Sequence, residues 1–136
     1  MSFSHGRTSV FKLEDSGGTT RDVSTYLTGS GLDRSADLVD TTTFQASAKT
    51  YIQGWQDGKF TLSGIWDPTV DGYLSGLYTA GTARTFTYYP AGTASSNVSY
   101  AGTAICMNYT DSSDIGDANK FTAEFQVIGA VTRAVL

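Results

Sequence analysis

Residues 57 to 81 read Asp57-Gly-Lys-Phe-Thr-Leu-Ser-Gly-Ile-Trp-Asp-Pro-Thr-Val-Asp-Gly-Tyr-Leu-Ser-Gly-Leu-Tyr-Thr-Ala-Gly81, and this stretch changes from one periodicity to another. In its first ten residues Phe60, Leu62 and Trp66 fall on one face, while Lys59 and Thr61 fall on the other. Alternation with a period of two is typical of a strand that is buried on one side only. The segment 57 to 66 is therefore predicted to be a half-buried strand.

A helix is predicted directly after this strand, from Pro68 to Thr79. Asp67 can accept hydrogen bonds from free N–H groups at a helix start, and Pro68 suits the first helical position. Gly81 is a plausible stop signal. The helix carries one apolar stripe at helical spacing, formed by Val70, Tyr73, Leu74, Leu77 and Tyr78. Such a stripe is expected to dock on a sheet.

The rest of the chain is dominated by strand patterns separated by turn residues. Asp15-Ser-Gly-Gly is expected to close a hairpin, and Asp22 to Leu27 a short helical turn. Beyond the strand at 57 to 66, strands are predicted at 8–14, 19–22, 84–89, 97–109 and 119–131, with one or two more in 28–43 joined near Ser35-Ala-Asp. Six to eight strands and one helix predict a mainly β fold, an antiparallel β-sandwich or barrel with one flanking α-helix.

Residues 44 to 54 follow neither a strand period nor a helix period, so they are predicted to form a long extended loop. A loop of this length in a small domain is usually functional. It is the first candidate for a functional segment.

Composition limits the classes of function. The 136 residues are predicted to form one domain, 1–136, with a flexible N-terminal arm at 1–8. The net charge of −4 argues against a sequence-independent nucleic-acid binder, because such proteins need a basic surface. No apolar run approaches the roughly 20 residues of a membrane span, and the polar start is not a signal peptide. We expect no membrane association, and we expect the protein to be made in a cytoplasm.

No constellation for catalysis or metal binding stands out. His5 lies in the predicted arm, where no rigid scaffold would position it for a catalytic triad. Cys106 lies within an apolar strand pattern and reads as a small buried residue. Asp111, Asp114 and Asp117 lack the spacing of a calcium loop and fit a solvated turn. We therefore predict no enzymatic activity, no cofactor and no metal.

Aromatic residues leave two interpretations open. Trp55, Trp66, Tyr51, Tyr88 and Tyr89 would suit a sugar-stacking platform on a carbohydrate-binding β-sandwich. Alternatively they are core residues or anchors at an interface between subunits. Without visible active-site chemistry, the residues themselves indicate a binding or assembly role.

Several segments, taken in order, resemble the major tail tube protein of long-tailed (siphovirus-type) bacteriophages. Asp22-Val-Ser-Thr-Tyr-Leu is similar to an early turn of that family, and Thr43-Phe with Ala48-Lys-Thr-Tyr-Ile-Gln-Gly is similar to its long loop. The segment 57 to 72 and the ending Phe121-x-Ala-x-Phe-Gln-Val-x-Gly-Ala-Val-Thr-Arg add to the likeness. The resemblance runs from about residue 9 to the C-terminus.

This resemblance implies a β-sandwich protomer that assembles into six-membered rings, which stack into the tube through which DNA is ejected. Strands of neighbouring subunits would join edge to edge into an inner barrel. The loop at 44 to 54 would reach neighbouring subunits or the next ring. Its candidate interface residues are Phe44, Lys49, Tyr51, Ile52 and Trp55, with Lys49 pairing across the contact.

The partners implied are further copies of the chain and other tail proteins, namely the tape measure, the terminator and the tail tip. DNA would pass through the lumen without specific binding, and six copies of a −4 chain would give a ring of −24 that repels phosphate. The protein would reside in the virion tail. Two alternatives remain open: a tail terminator or head–tail completion ring, and the carbohydrate-binding module.

Overall fold

The computed structural model describes residues 6 to 136, which form seven β-strands and one α-helix, with short 3-10 turns at Gly6–Thr8 and Ser24–Tyr26. The predicted helical turn at 22 to 27 is thus confirmed. The elements in chain order are β1 (Val10–Glu14), β2 (Thr20–Asp22), β3 (Leu27–Asp40), β4 (Tyr51–Ile65), α1 (Pro68–Ala80), β5 (Arg84–Tyr89), β6 (Val98–Ser112) and β7 (Lys120–Val135).

All seven strands belong to one antiparallel sheet with the order β2-β1-β5-β6-β7-β4-β3. The sheet is rolled, because the rings of Phe11 in β1 and Phe60 in β4 lie 4.9 Å apart between centroids. In a flat sheet these strands, four steps apart, would be separated by about 19 Å. The rolled sheet and the single helix confirm the predicted antiparallel β architecture with a flanking helix.

The core fills the concave side of this roll. Phe60 is completely buried, and its ring contacts Phe11, Phe86 and Phe125 at centroid distances of 4.9, 4.6 and 4.7 Å. From Gly58 to Gly64 in β4 and from Phe121 to Val127 in β7, every second residue points into the core, as the period-two patterns predicted. The buried apolar residues of these two strands are Phe60, Leu62, Phe121, Ala123, Phe125 and Val127.

Helix α1 has the signals that its sequence predicted. The Asp67 side chain accepts a hydrogen bond from the Thr69 N–H at 2.8 Å, and Pro68 is the first helical residue. Gly81 ends the helix with φ of 64°, a left-handed conformation that glycine adopts without strain. The predicted range 68–79 is therefore confirmed to within one residue. The residues buried on its inner face are Val70, Leu74 and Leu77.

One carboxylate joins the helix to the sheet. Asp71 Oδ1 accepts hydrogen bonds from the Tyr109 hydroxyl at 2.7 Å, the Ser75 hydroxyl at 3.2 Å and the Trp66 indole N–H at 3.3 Å. Burial, and secondarily the hydrogen bond to Asp71, raises the pKa of the Tyr109 hydroxyl. Tyr109 thus stays a neutral donor that links β6 to α1.

We expect Tyr109→Phe to lower the free energy of unfolding by about 1.5 kcal/mol, the lower end of the range for a hydrogen bond to a charged group, because Asp71 keeps two other donors. Urea unfolding of the unassembled subunit at pH 7 measures the change. Tyr78→Phe is the matched control, because Tyr78 lies on the exposed side of the same helix. Equal stability of the two variants would contradict the link through Asp71.

The structure corrects several boundaries. The region 28 to 43 holds one strand, β3, and the expected break near Ser35 is instead a register shift between Ala36 and Leu38.

The loop predicted at 44 to 54 is wrong at its C-terminal side, since Tyr51 to Gly54 belong to β4. These residues pair with β3 but touch no core, so they show no apolar alternation. Strands β6 and β7 also run further than predicted, to Ser112 and Val135.

The N-terminal arm predicted at 1 to 8 is only partly described. Residues 6 to 8 form the first 3-10 turn. Residues 1 to 5, and with them His5, lie outside the described residues.

Candidate assembly interface

A two-stranded arm extends from the body of the sheet. Strand β4 pairs with β7 only from Lys59 to Ile65, whereas it pairs with β3 as far as Tyr51. Residues 34 to 58, called the hairpin arm below, are therefore a hairpin that no third strand of residues 6 to 136 joins.

The tip of the hairpin arm, residues 41 to 50, has its own hydrogen bonds. The Thr41 N–H donates to the Thr50 carbonyl at 2.9 Å, and the Thr50 N–H donates to the Thr42 hydroxyl at 2.9 Å. Hydrogen bonds from the Thr42 hydroxyl and N–H hold the pKa of the Asp40 carboxyl below its ordinary value. The tip is thus a structured turn and not an extended loop.

Large apolar side chains on the hairpin arm are exposed to solvent. Phe44 at the tip is 109% exposed and Trp55 is 86% exposed. The register places Val39 opposite Ile52, so this pair shares one face of the arm, while Leu38 and Tyr51 lie on the other. Contiguous apolar exposure on a small protein marks an interaction site. Both faces of the arm are therefore suited to burial against other chains.

The predicted interface residues all lie on this arm. Phe44 and Lys49 are in the tip, whereas Tyr51, Ile52 and Trp55 are in β4. Lys49 takes part in none of the ion pairs found within residues 6 to 136. The sequence analysis missed Leu38 and Val39, although two adjacent apolar residues in a polar strand were a usable signal.

The base of the hairpin arm is anchored. Between the arm and β7 lies a cleft of about 540 Å³, with Gly129 to Val131 on its β7 side. Below it, the Gln126 amide donates to the Gly58 carbonyl at 2.9 Å and to the Asp57 carboxylate. The Arg34 guanidinium lies 4.8 Å from the centre of the Tyr100 ring, a cation–π contact that links the arm to β6.

Several strand edges lack a strand partner in the described part of the chain, and two of them border the layer formed by β6, β7, β4 and β3. Strand β3 pairs with β4 on one side only, so its outer edge is open from Leu27 to Asp40. Strand β5 pairs with β6 only between Tyr100 and Ala104, which leaves the β6 edge from Ile105 to Ser112 open. Long open edges are templates for pairing with another chain.

The convex face of the four long strands is mainly polar, and it also carries the exposed side chains of Ile65 and Ile128. Cross-strand rows such as Gly31-Thr61-Glu124-Asn108 and Gly29-Ser63-Thr122-Thr110 follow from the register. We call this surface the polar face. Its charged residues are Asp33, Asp37, Asp57, Glu124, Lys59 and Lys120, a net charge of −2.

The other candidate sites do not converge. Trp66 is partly buried beside α1, Tyr88 packs on the core, and Trp55 lies on the hairpin arm, so these residues form no common platform. Cys106 is half-buried, and burial raises the pKa of its thiol. No cluster of metal-ligating side chains occurs within residues 6 to 136. Over the same range, no helix has the length and apolar character to cross a membrane.

No protein-family model and no curated protein sequence matches this chain, but solved structures do. The tail of an empty gene transfer agent (GTA) particle, determined with C6 symmetry, superposes with a TM-score of 0.82 at 12% identity, over 98% of this chain and 100% of that one. The SPP1 tail tube gives a TM-score of 0.80 at 11% identity, over 98% of this chain and 80% of that one.

A tube cap has a similar structure. The terminating cap of the anti-feeding prophage tube superposes with a TM-score of 0.77 at 17% identity, over 100% of this chain and 93% of that one. The chain therefore has the fold of tail and tube subunits. Within that class it is similar in fold to the SPP1 tail tube subunit, as its resemblance to tail tube proteins implied.

Proposed function

We propose that this chain is a structural subunit that assembles into stacked rings, and that these rings form the tail tube of a phage-like particle and conduct DNA. One observation carries the proposal. A layer of four long strands, β6-β7-β4-β3, has an open edge on each side and a polar face. Such a layer is incomplete alone but can close on copies of itself.

Strand direction supports edge-to-edge closure. Neighbours in the layer are antiparallel and their number is even, so β3 of one subunit runs antiparallel to β6 of the next. The GTA tail has C6 symmetry. In a ring of the same symmetry, six copies of the four-stranded layer would make a barrel of 24 strands. Closure into a barrel removes the open edges.

In this barrel the polar face would line the lumen, because the core and α1 lie on its opposite side. Four carboxylates against two lysines would give six copies a charge of −12 on that face. Repulsion of phosphate, together with the small Thr, Ser and Gly residues of this face, would let DNA slide without specific binding.

The hairpin arm would then contact neighbouring subunits. Apolar area for these contacts comes from Phe44, Tyr51, Ile52 and Trp55. Lys49 adds a positive charge that forms no ion pair within residues 6 to 136. The tape measure, terminator and tail tip proteins would be the further partners. The subunit would be made in the host cytoplasm and would function in the particle's tail, with no enzymatic role.

Electron microscopy of the purified protein over a concentration series, with light scattering on the same samples, tests assembly. We expect tubes or stacked rings above a critical concentration. A cryo-EM reconstruction should place Thr61, Thr122 and Glu124 on the lumen wall and α1 on the outside. A tube with α1 facing the lumen would contradict the assignment of the polar face.

The similarity to the anti-feeding prophage cap favours one second candidate, a terminator that closes a tube as a single ring. The two functions differ in what they require of the subunit's ends. A terminator needs one stacking surface, whereas a tube subunit needs two that fit each other. Closed single rings at every concentration would favour the terminator.

A further inference from the structure

The two most exposed large side chains lie at opposite ends of the molecule. Phe44, in the tip of the hairpin arm, is 109% exposed, and Ile115 is 107% exposed. Ile115 lies in the turn between β6 and β7, residues 113 to 119, which we call the distal turn. The tip joins the N-terminal end of β4, and the distal turn flanks its C-terminal end through the pair Ile65 and Lys120. Fourteen residue steps of β4 separate these ends by about 46 Å.

Charge at the two ends is complementary. Lys49 is the only charged residue of the tip, and its ammonium group forms no ion pair within the described chain. In the distal turn, Asp117 pairs with Lys120 at 3.1 Å, which lowers the pKa of its carboxyl. The Asp114 carboxylate takes part in no ion pair within residues 6 to 136. Each end thus offers one exposed apolar side chain and one unpaired charge of opposite sign.

We propose that the tip of one subunit docks on the distal turn of a second copy in the next ring, with Phe44 against Ile115 and Lys49 paired with Asp114. This contact rests on the proposed function, because it is the head-to-tail joint between rings. A surface that binds a different surface of an identical copy, related by translation along an axis, generates an open filament. Strand-edge pairing closes each ring, and the tip contact stacks the rings.

Disulfide trapping tests the contact. The variant Phe44→Cys/Ile115→Cys, in a Cys106→Ser background, is assembled, oxidised and run on a non-reducing denaturing gel. Each subunit has both partners of a head-to-tail joint, so we expect a ladder of covalent oligomers. The single variants Phe44→Cys and Ile115→Cys are limited to dimers. Phe44→Cys/Ile128→Cys, with its second cysteine at another exposed position, is the matched control and should give no ladder.

The outcomes separate the two proposals. Tubes of the double variant without a ladder would overturn the tip contact and leave the proposed function intact. A wild-type chain that never assembles would overturn both. A ladder equally strong in the Ile128 control would also overturn the contact, because it would show unspecific oxidation.

A charge exchange covers the case in which the cysteine variants do not assemble. Lys49→Asp is expected to raise the critical concentration for tubes about fivefold, since each added subunit loses one exposed ion pair and gains a repulsion between two carboxylates. Lys49→Asp/Asp114→Lys should restore assembly, whereas Lys49→Asp/Asp117→Lys should not. A double exchange at Asp114 that assembles no better than Lys49→Asp would overturn the pairing.

Discussion

A chain in which residues 41 to 50 are replaced by Asn-Gly is expected to fold as a stable monomer and to form no tubes. Asp40 and Tyr51 are directly paired across the hairpin, so a two-residue turn can join them without changing the register. The tip contains no core residue, and its hydrogen bonds are local. The replacement therefore removes the proposed stacking surface and leaves the core in place.

Circular dichroism and urea unfolding measure the fold of this variant, and sedimentation with electron microscopy measures its assembly. Tyr78→Ser is the control, because it removes an exposed aromatic side chain from α1, on the proposed outer surface of the tube. It should assemble like the wild type. An unfolded tip variant would show that the tip belongs to the core, and one that still forms tubes would remove the tip from the assembly contacts.

Gly64→Ala is expected to lower the free energy of unfolding by about 3 kcal/mol, the upper end for overpacking in a close-packed interior. Gly64 in β4 lies opposite Leu27, the first residue of β3. A Cβ at this position would lie 2.9 Å from the Leu27 Cα and the Tyr26 carbonyl carbon, both backbone atoms. Neither can move unless β3 shifts away from β4.

Gly31→Ala is the matched control for this prediction. Gly31 lies in β3 opposite Thr61, and a Cβ there meets nothing within 4 Å. The same methyl group is thus added to the same pair of strands without a clash. Urea unfolding should show a change within about 0.5 kcal/mol for Gly31→Ala. If both alanine variants were equally stable, the close approach of β3 at Gly64 would be contradicted.

The sequence predicted best where local pattern and burial agree. The alternation around Phe60 and around Phe121 to Val127 reflects one buried face, and Asp67 and Gly81 bound α1 through groups within a few residues. The candidate interface residues Phe44, Tyr51, Ile52 and Trp55 came from the resemblance to tail tube proteins, and the structure leaves the side chains of all four exposed on the hairpin arm. Their continuation into β4 was missed, since pairing with β3 alone leaves no periodic signal.

By itself, then, the sequence determined the β character of this protein, its single helix and the part of its core that β4, α1 and β7 supply. In these elements burial of one face produces a period of two or 3.6 in neighbouring residues. Only the tertiary structure decided the strand order, the open edges of β3 and β6 and the opposite positions of Phe44 and Ile115. These depend on contacts between segments far apart in the chain. An exposed residue that would contact another chain leaves no periodic pattern in its own sequence.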